Sequence, residues 1–402
     1  MKGNLLGAPA MNARILDVVI VGGGFAGSAL AAVLAARGRS VMVCDPHDVH
    51  PQDFRAEKLS PDQIDALERL GLATPVLRAA TPVGDLRIAR AGRVVDTRPT
   101  REFGLDYRTL VEAIREQVPA ASFARRRVEG VESFAGHQIV TLHGAPPLRA
   151  KLVVLATGLA LSLRKSLGLE RAIVGENYSL SIGFDLAVAP SRVAGAALTY
   201  YGERVADRIG YLTLFPIRDR LRANLFVYRD AGEAWSRDFR ANPESRLDAL
   251  MPGLRAMLPP FTITAPPVLR PINLFGPPLQ GREGIVLIGD AYSTTCPAGG
   301  GGLSLALTDI TRLLAFLPSW LARAEAITVA DVDEYYRDPV KRVSEAEARR
   351  ASHTSRATAI DPGLYWEARR RRNDWGTRVG AWLKRGLGAG HATAVQNITS
   401  KA

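Results

Sequence analysis

The segment Val18-Val19-Ile20-Val21-Gly22-Gly23-Gly24-Phe25-Ala26-Gly27 constrains the fold of this chain more than any other stretch. Its branched apolar run fits a buried parallel strand. Gly22, Gly24 and Gly27 then fill the pattern G-x-G-x-x-G. The first glycine permits a sharp turn, the second lets a pyrophosphate approach the backbone, and the third lets a helix lie close on the strand. An alanine-rich helix is expected over Ser28 to Arg37, closed by Gly38. Val41-Met42-Val43-Cys44 reads as a second strand, and Asp45 stands at its end, 18 residues beyond Gly27. An acid there is placed to accept both ribose hydroxyls of an adenosine. The pyrophosphate would rest on the helix N-terminus at Phe25 and Ala26, where free N–H groups and the helix dipole favour anions. With strand, turn, helix, strand and acid in register, the segment is a dinucleotide site. It leaves open whether the dinucleotide is NAD or FAD.

The chain has 402 residues, enough for two domains or for one large domain with an insertion. Its 47% hydrophobic and 23% charged residues are those of a globular protein. Two cysteines, Cys44 and Cys296, exclude a disulfide scaffold and fit a reducing, cytoplasmic compartment. No apolar run of about 18 residues is present, so no transmembrane helix is expected. Residues 1–14 read as a disordered leader, too weakly apolar for a signal peptide. The six histidines show no metal-ligand spacing, so no metal site is expected. The net charge of +12 gathers toward the C-terminus, at Arg369 to Arg372, Arg378, Lys384 and Arg385. No nucleic-acid-binding module accompanies that charge, and nucleic acid is not expected as a partner.

Further along, Ser60 and Pro61 open a helix that ends at Gly71. Residues 81–98 read as a short hairpin, Tyr107 to Val118 as a helix, and Lys151 to Leu155 as a buried strand leading into Ala156-Thr157-Gly158. Between 176 and 230 the pattern shortens and alternates. Ser179–Ala187, Ala196–Tyr201, Ile209–Phe215 and Arg222–Tyr228 predict antiparallel strands. A helix over 242–257 and a Pro-rich strand region over 259–275 follow. Gly284 to Asp290 is again a core strand, Leu303 to Leu317 an apolar helix, and 329–352 a polar, charged helix.

The stretch Gly289-Asp290-Ala291-Tyr292, then Pro297-Ala298-Gly299-Gly300-Gly301-Gly302-Leu303-Ser304 and Asp309, carries a second signature. An acid at a strand end can bond ribityl hydroxyls. A glycine cluster that opens a helix presents N–H groups to an electron-rich flavin edge. With these residues the chain resembles the flavoprotein monooxygenases related to p-hydroxybenzoate hydroxylase and the ubiquinone-biosynthesis hydroxylases. Their pattern is G-D-A-x-H, P-x-x-G-x-G-x-N and a helix with an Asp. Here Tyr292 replaces the His and Ser304 the Asn. The resemblance implies that Arg55 and Arg108 lie near the cofactor. It places Ala156-Thr157-Gly158 to Arg164 on the family's A-D-G-x-x-S-x-x-R motif, with Thr157 and Leu161 departing from it.

The fold implied is α/β: a Rossmann-like FAD-binding domain (15–80, 99–175 and 276–330), an inserted, mostly antiparallel β-sheet substrate domain (81–98 and 176–275) and a C-terminal helical segment (331–402). The cofactor set implied is Gly22, Gly24, Phe25, Ala26, Gly27, Asp45, Arg55, Arg108, Asp290, Gly300, Gly301, Gly302 and Leu303. Tyr200, Tyr201, Tyr211, Phe215 and Pro297 are candidate walls of the substrate pocket. The implied reaction has FAD reduced by NAD(P)H, then O₂ captured as a flavin C4a-hydroperoxide that hydroxylates an apolar or aromatic small molecule. Two alternatives stay open: a geranylgeranyl-reductase-like enzyme acting on a C=C bond, and a flavoprotein whose FAD is structural. A halogenase is disfavoured, because the five tryptophans do not form W-x-W-x-I-P. Trp375, Val379 and Trp382 share one helix face bordered by Arg378 and Arg385, which suits peripheral contact with an anionic membrane. Packing of that helix on the FAD domain is the competing expectation.

Overall fold

The computed structural model describes residues 14–55 and 57–372. Among them, two seven-stranded sheets and a small three-stranded sheet carry the architecture. The first sheet is built on Ile15–Val21. Val41–Cys44 lies parallel on one side of it and Ala145–Leu155 parallel on the other. Val18, Val19 and Ile20 are completely buried. A strand covered on both faces must read as a continuous apolar run, and this one does.

Ala145–Leu155 serves two roles along its length. Its first half pairs antiparallel with His137–Leu142, which pairs in turn with Val128–Phe134. Its last three residues pair parallel with Ile285–Leu287. This late strand therefore returns the chain to the first sheet beside Leu155, with Val21 across the same strand, which brings the two glycine motifs to one edge. Gly284 makes the entry possible. It sits at φ +64°, and a Cβ there would lie 2.2 Å from Gln138 Nε2.

The second sheet runs Val268–Pro278, Arg171–Leu186, Arg220–Val227, Ile209–Ile217, Ala197–Tyr201, Asp85–Arg90, Arg93–Pro99. It is antiparallel except where Ala197–Tyr201 runs parallel to Asp85–Arg90. The expected hairpin of 81–98 is thereby stitched to the middle sheet. Helices Ala234–Ala241 and Pro243–Leu250 cover one face. The single helix expected over 242–257 is thus replaced by two short ones, joined at Asn242 with Pro243 opening the second.

The polar helix expected over 329–352 is also two helices, Val329–Tyr336 and Pro339–Ile360. The first is closed at Arg337, and Asp338 caps the second, accepting N–H bonds from Val340 (3.0 Å) and Lys341 (3.1 Å). The apolar helix extends over Gly302–Ala322, 21 residues, and by length and composition it could cross a membrane, where none was expected. Its buried face, including Leu303, Leu307, Ile310, Leu313 and Leu317, belongs to the same core as Val18 and Ile20. That packing is what a core helix of an α/β domain shows. The leader read over 1–14 falls almost wholly outside the described residues, as do Trp375, Arg378, Val379, Trp382, Lys384 and Arg385.

Candidate functional site

The first glycine turn is shaped by close contacts at two of its glycines. Gly22 has φ +105°, and a Cβ on it would stand 2.5 Å from the Ala156 carbonyl oxygen. A Cβ on Gly27 would stand 1.9 Å from the Gly22 carbonyl oxygen, so the Phe25–Ala36 helix can approach the strand only because that residue is glycine. Gly24 is different. A Cβ there would meet nothing nearer than the Tyr107 hydroxyl at 3.8 Å, and it would project into a cavity that Gly22, Gly24, Phe25 and Ala26 line.

Asp45 closes this end. It accepts N–H bonds from Gly23 (2.8 Å) and His47 (2.9 Å), and the His47 ring lies 2.9 Å away. Burial pushes its carboxyl up, but the Gly23 and His47 bonds and the nearby Arg115 outweigh that, and the group is held below the ordinary carboxylate range. It is therefore ionised at neutral pH. Arg115 donates Nε–H to the Gly23 carbonyl (2.7 Å) and Nη1–H to the His47 carbonyl (3.2 Å). Arg108, seven residues earlier on the same helix, is not among the residues lining the cavity, and its Nε is buried without a partner. Sequence reasoning selected Arg108 and passed over Arg115. The two are nearly two helical turns apart, so spacing alone did not separate them.

The second motif lies across the cavity. Asp290 follows the Ile285–Leu287 strand and takes the Nη1–H of Arg55 at 2.7 Å. Arg55 also pairs with Asp53, and Asp53 with Arg270 at 2.7 Å. The Gly289 N–H is held from behind by Asp309 Oδ2 (2.8 Å). Asp309 forms a buried ion pair with Lys341 of the Pro339–Ile360 helix. Burial pushes the Asp309 carboxyl up, against the pull of Lys341 and the Gly289 N–H. Lys341 was read as one charge on a polar helix, yet its side chain is wholly buried and lies 4.1 Å from the Tyr292 ring centre.

The glycine cluster divides by role. Gly300 (φ +70°) turns the chain, and Gly300, Gly302 and Leu303 line the cavity. Gly301 does not; a Cβ there would meet the Ala348 methyl at 3.2 Å, so this glycine serves the packing of two helices. The first N–H groups of the Gly302 helix have no intrahelical partner by construction and form an anion-favouring end. Gln63 fixes this turn by donating Nε2–H to Ser304 Oγ (3.0 Å) and the Gly300 carbonyl (3.4 Å). Its Oε1 accepts the Ser60 N–H (3.0 Å). Sequence reasoning missed Gln63, although Ser60-x-x-Gln63 is a capping-box spacing.

The cavity has a volume of about 2080 Å³. A site for one small molecule usually spans roughly 300–1,000 Å³. Beyond Asp290 and Pro297 it is walled by the second sheet. Tyr201, Tyr211, Phe215 and Phe226 line it there, and Tyr200 does not. Tyr200 lies in the core of the sheet, with its hydroxyl bonded to Glu203 and to the Gly92 N–H. Tyr211 donates its hydroxyl to the Ala298 carbonyl (2.6 Å) and packs on Phe226, ring centres 4.9 Å apart. Burial raises its phenol above the ordinary value, so it is a neutral donor. Thr157 and Leu161, the departures in the middle motif, also line the cavity.

A flavin dinucleotide fits this donor set. The Gly24 side of the turn is open where a pyrophosphate would lie, an ionised acid stands at the strand end, and a second helix N-terminus faces the same space. Residues 15–250 match the family described as FAD binding domain. The chain belongs to that family. FAD is its cofactor. Among curated relatives, mouse squalene monooxygenase is 26% identical over 336 residues, covering 73% of this chain and 53% of that enzyme. The chain thus spans about half the length of the squalene monooxygenases it matches. Kynurenine 3-monooxygenase of Salinispora tropica is 27% identical over 354 residues, covering 79% of this chain and 76% of that enzyme. Among solved structures, p-nitrophenol 4-monooxygenase of Pseudomonas putida aligns with a TM-score of 0.72 at 21% identity, covering 92% of this chain and 95% of that one. PqsL of Pseudomonas aeruginosa, in complex with 2-aminobenzoylacetate, aligns at 0.71 and 21%, covering 87% and 97%. Both share the fold described here.

Proposed function

We propose that this protein is an FAD-dependent monooxygenase that hydroxylates an apolar or aromatic small molecule, with NAD(P)H as reductant and O₂ as oxidant. The observation that carries this reading is one continuous cavity. It runs from the Gly22–Gly27 turn, past Asp290 and the start of the Gly302 helix, to the aromatic wall of Tyr201, Tyr211 and Phe226. Its volume accommodates a dinucleotide and a second molecule together. The curated relatives named above are monooxygenases, which supports the same reading. On this reading the first sheet with its helices is the FAD-binding part, and the second sheet supplies the substrate pocket.

FAD supplies the redox chemistry, accepting a hydride and activating oxygen. The chain's own residues position and shield. Gly24, Phe25 and Ala26 give the pyrophosphate its N–H groups, and Asp45 takes the adenosine ribose hydroxyls. Asp290, held by Arg55, is set to take ribityl hydroxyls. The N–H groups opening the Gly302 helix stabilise negative charge on the flavin's electron-rich edge. Phe226, Ile272, Phe275 and Pro297 exclude water from the far side, and Tyr211 orients the Pro297-Ala298 backbone through its bond to Ala298.

Purified protein loaded with FAD is expected to oxidise NAD(P)H with matching O₂ uptake, and a true substrate to suppress H₂O₂ release. NAD(P)H-reduced flavin that is reoxidised by saturating a substrate C=C bond, without consuming O₂, would replace this reading with a reductase. Flavin that NADH and NADPH both fail to reduce would make the cofactor structural. A cytoplasmic location with peripheral membrane contact through the C-terminal segment belongs to the same proposal. Within the described part of that segment, Trp366 packs against Tyr365 and His353. Co-sedimentation with anionic liposomes at low but not high salt is the expected result, and protein left in the supernatant at low salt refutes the contact.

A further inference from the structure

The cavity continues beyond the aromatic wall to a mouth whose charge differs from its depth. Three pieces of chain frame the mouth. The first is the tip of the Asp85–Pro99 hairpin, where Arg90 stacks on the Tyr201 ring at 4.1 Å. The second is the segment after Tyr201, which carries Glu203, Arg204 and the Val205–Asp207 turn. The third is the Pro339–Ile360 helix, which packs against that turn. One face of this helix lines the cavity at helical spacing: Glu347, Ala351, Ser355 and Ala359, with Arg350, Thr354 and Thr358 beside them. The face is held in place, because Ser355 bonds the Tyr228 hydroxyl at 2.8 Å and Arg356 bonds the Tyr178 carbonyl. Its residues facing the cavity are small or polar, so it leaves room for a ligand.

The lining charges sort by position. Around the deep end, the acids Asp45, Asp53, Glu57, Glu102 and Asp290 outnumber Arg55, Lys58 and Arg270. At the mouth the balance reverses. Arg90 and Arg93 on the hairpin, Arg204, Arg350 on the helix and Arg369 to Arg371 after it face three glutamates, Glu203, Glu347 and Glu367. Several of these arginines are committed: Arg204 to Asp207, Arg371 to Glu367, and Arg370 to the Thr358 and Asp361 carbonyls. Arg93 and Arg350 have no acid or hydrogen-bond partner among the described residues. Two uncommitted guanidiniums, one on the hairpin and one on the helix, line the same cavity and add positive potential at the opening.

We propose that the substrate is an amphiphile. Its apolar or aromatic body lies along Tyr201, Tyr211 and the small helix face, and an anionic group at its outer end is read by Arg93 and Arg350. This deepens the monooxygenase reading and rests on the cavity being a substrate site. The test is a binding measurement on FAD-loaded protein, so missing NAD(P)H- or O₂-linked turnover, which would sink the parent reading, does not bear on it.

The probes are anilinonaphthalene sulfonate and phenylnaphthylamine, which share an aromatic skeleton and differ by the sulfonate. Fluorescence titration is expected to show the sulfonate binding about tenfold more tightly than the neutral compound. The double variant Arg93→Ala/Arg350→Ala is expected to lose about tenfold in sulfonate affinity and nothing for the neutral probe. A charge-matched control, Arg192→Ala/Arg240→Ala, removes two exposed arginines that do not line the cavity and is expected to change neither affinity by more than about twofold. Equal binding of the two probes, failure of both to bind, or an equal loss in the control overturns the proposal. A double variant that keeps sulfonate affinity but weakens NADPH relative to NADH also overturns it, by assigning the arginines to the reductant's phosphate.

Discussion

Replacing Lys341 by methionine tests whether the second glycine motif is held from behind by a buried ion pair. Lys341 has no exposed side-chain surface, and Asp309 has 7%. Methionine keeps most of the volume and removes the charge. Asp309 would then face the core with one remaining bond, the 2.8 Å contact from the Gly289 N–H. Breaking a buried pair by removing one partner typically costs about 3–5 kcal/mol, because the other charge is left uncompensated. Asp309→Asn strands Lys341 instead and is expected to cost about as much. The double variant strands neither charge, and the amide oxygen that replaces the carboxylate can still accept the Gly289 N–H. It is expected to cost less than either single variant, so the coupling energy is at least one single loss, about 3 kcal/mol or more. In Lys341→Met the Asp309 carboxyl rises further, so the folded state binds a proton that the unfolded state releases. Its stability should therefore fall as pH rises above the ordinary carboxylate range. Urea unfolding of the FAD-loaded protein at pH 5.5 and 7.5 measures both effects. A Lys341→Met cost below about 1 kcal/mol, or single losses that simply add in the double variant, would refute the reasoning.

Gly24→Val and Gly27→Ala should separate cofactor binding from folding. The first places methyl groups in open cavity and is expected to abolish FAD uptake while circular dichroism is kept. The second forces a Cβ to 1.9 Å from the Gly22 carbonyl and is expected to give little folded protein. The reverse pattern would show that the cavity at Gly24 is not the dinucleotide site. Asp290→Ala, which also frees Arg55, is expected to lower FAD content at least tenfold with the fold largely intact; unchanged flavin absorbance per protein would count against a ligand role. Burial pushes the Glu57 carboxyl from about 4.5 up to about 8, against the pull of Arg222 and with the push of Asp106 and Asp185. The folded state therefore holds this proton when the unfolded state does not. Stability is fully present below the unfolded value and is lost as pH rises toward 8, by at most about 1.4 kcal/mol per pH unit. Glu57→Gln should flatten that decline in urea titrations between pH 5 and 8, and an unchanged slope would assign it to other groups.

The sequence by itself determined the first strand–turn–helix–strand unit, the FAD family, and the alternation of the second sheet. These are local demands. A positive φ at Gly22 or Gly300, a close approach at Gly27, and the period of a strand buried on both faces each leave their mark on consecutive residues. Only the tertiary structure decided which charged residues serve the site. Arg115 rather than Arg108 holds the first turn, because the choice depends on which helical turn meets Gly23. Gln63 clamps Gly300 of the glycine cluster from 237 positions away, and Lys341 reaches Asp309 from a helix whose sequence reads as solvent-facing. Gly301 belongs to helix packing although it stands inside a cofactor motif. The mouth of the cavity joins a hairpin near residue 90 to a helix near residue 350. A lone lysine or arginine carries the same letters whether it is hydrated or buried. Its role follows from desolvation and from the partner across the interface, and neither exists until distant segments have packed.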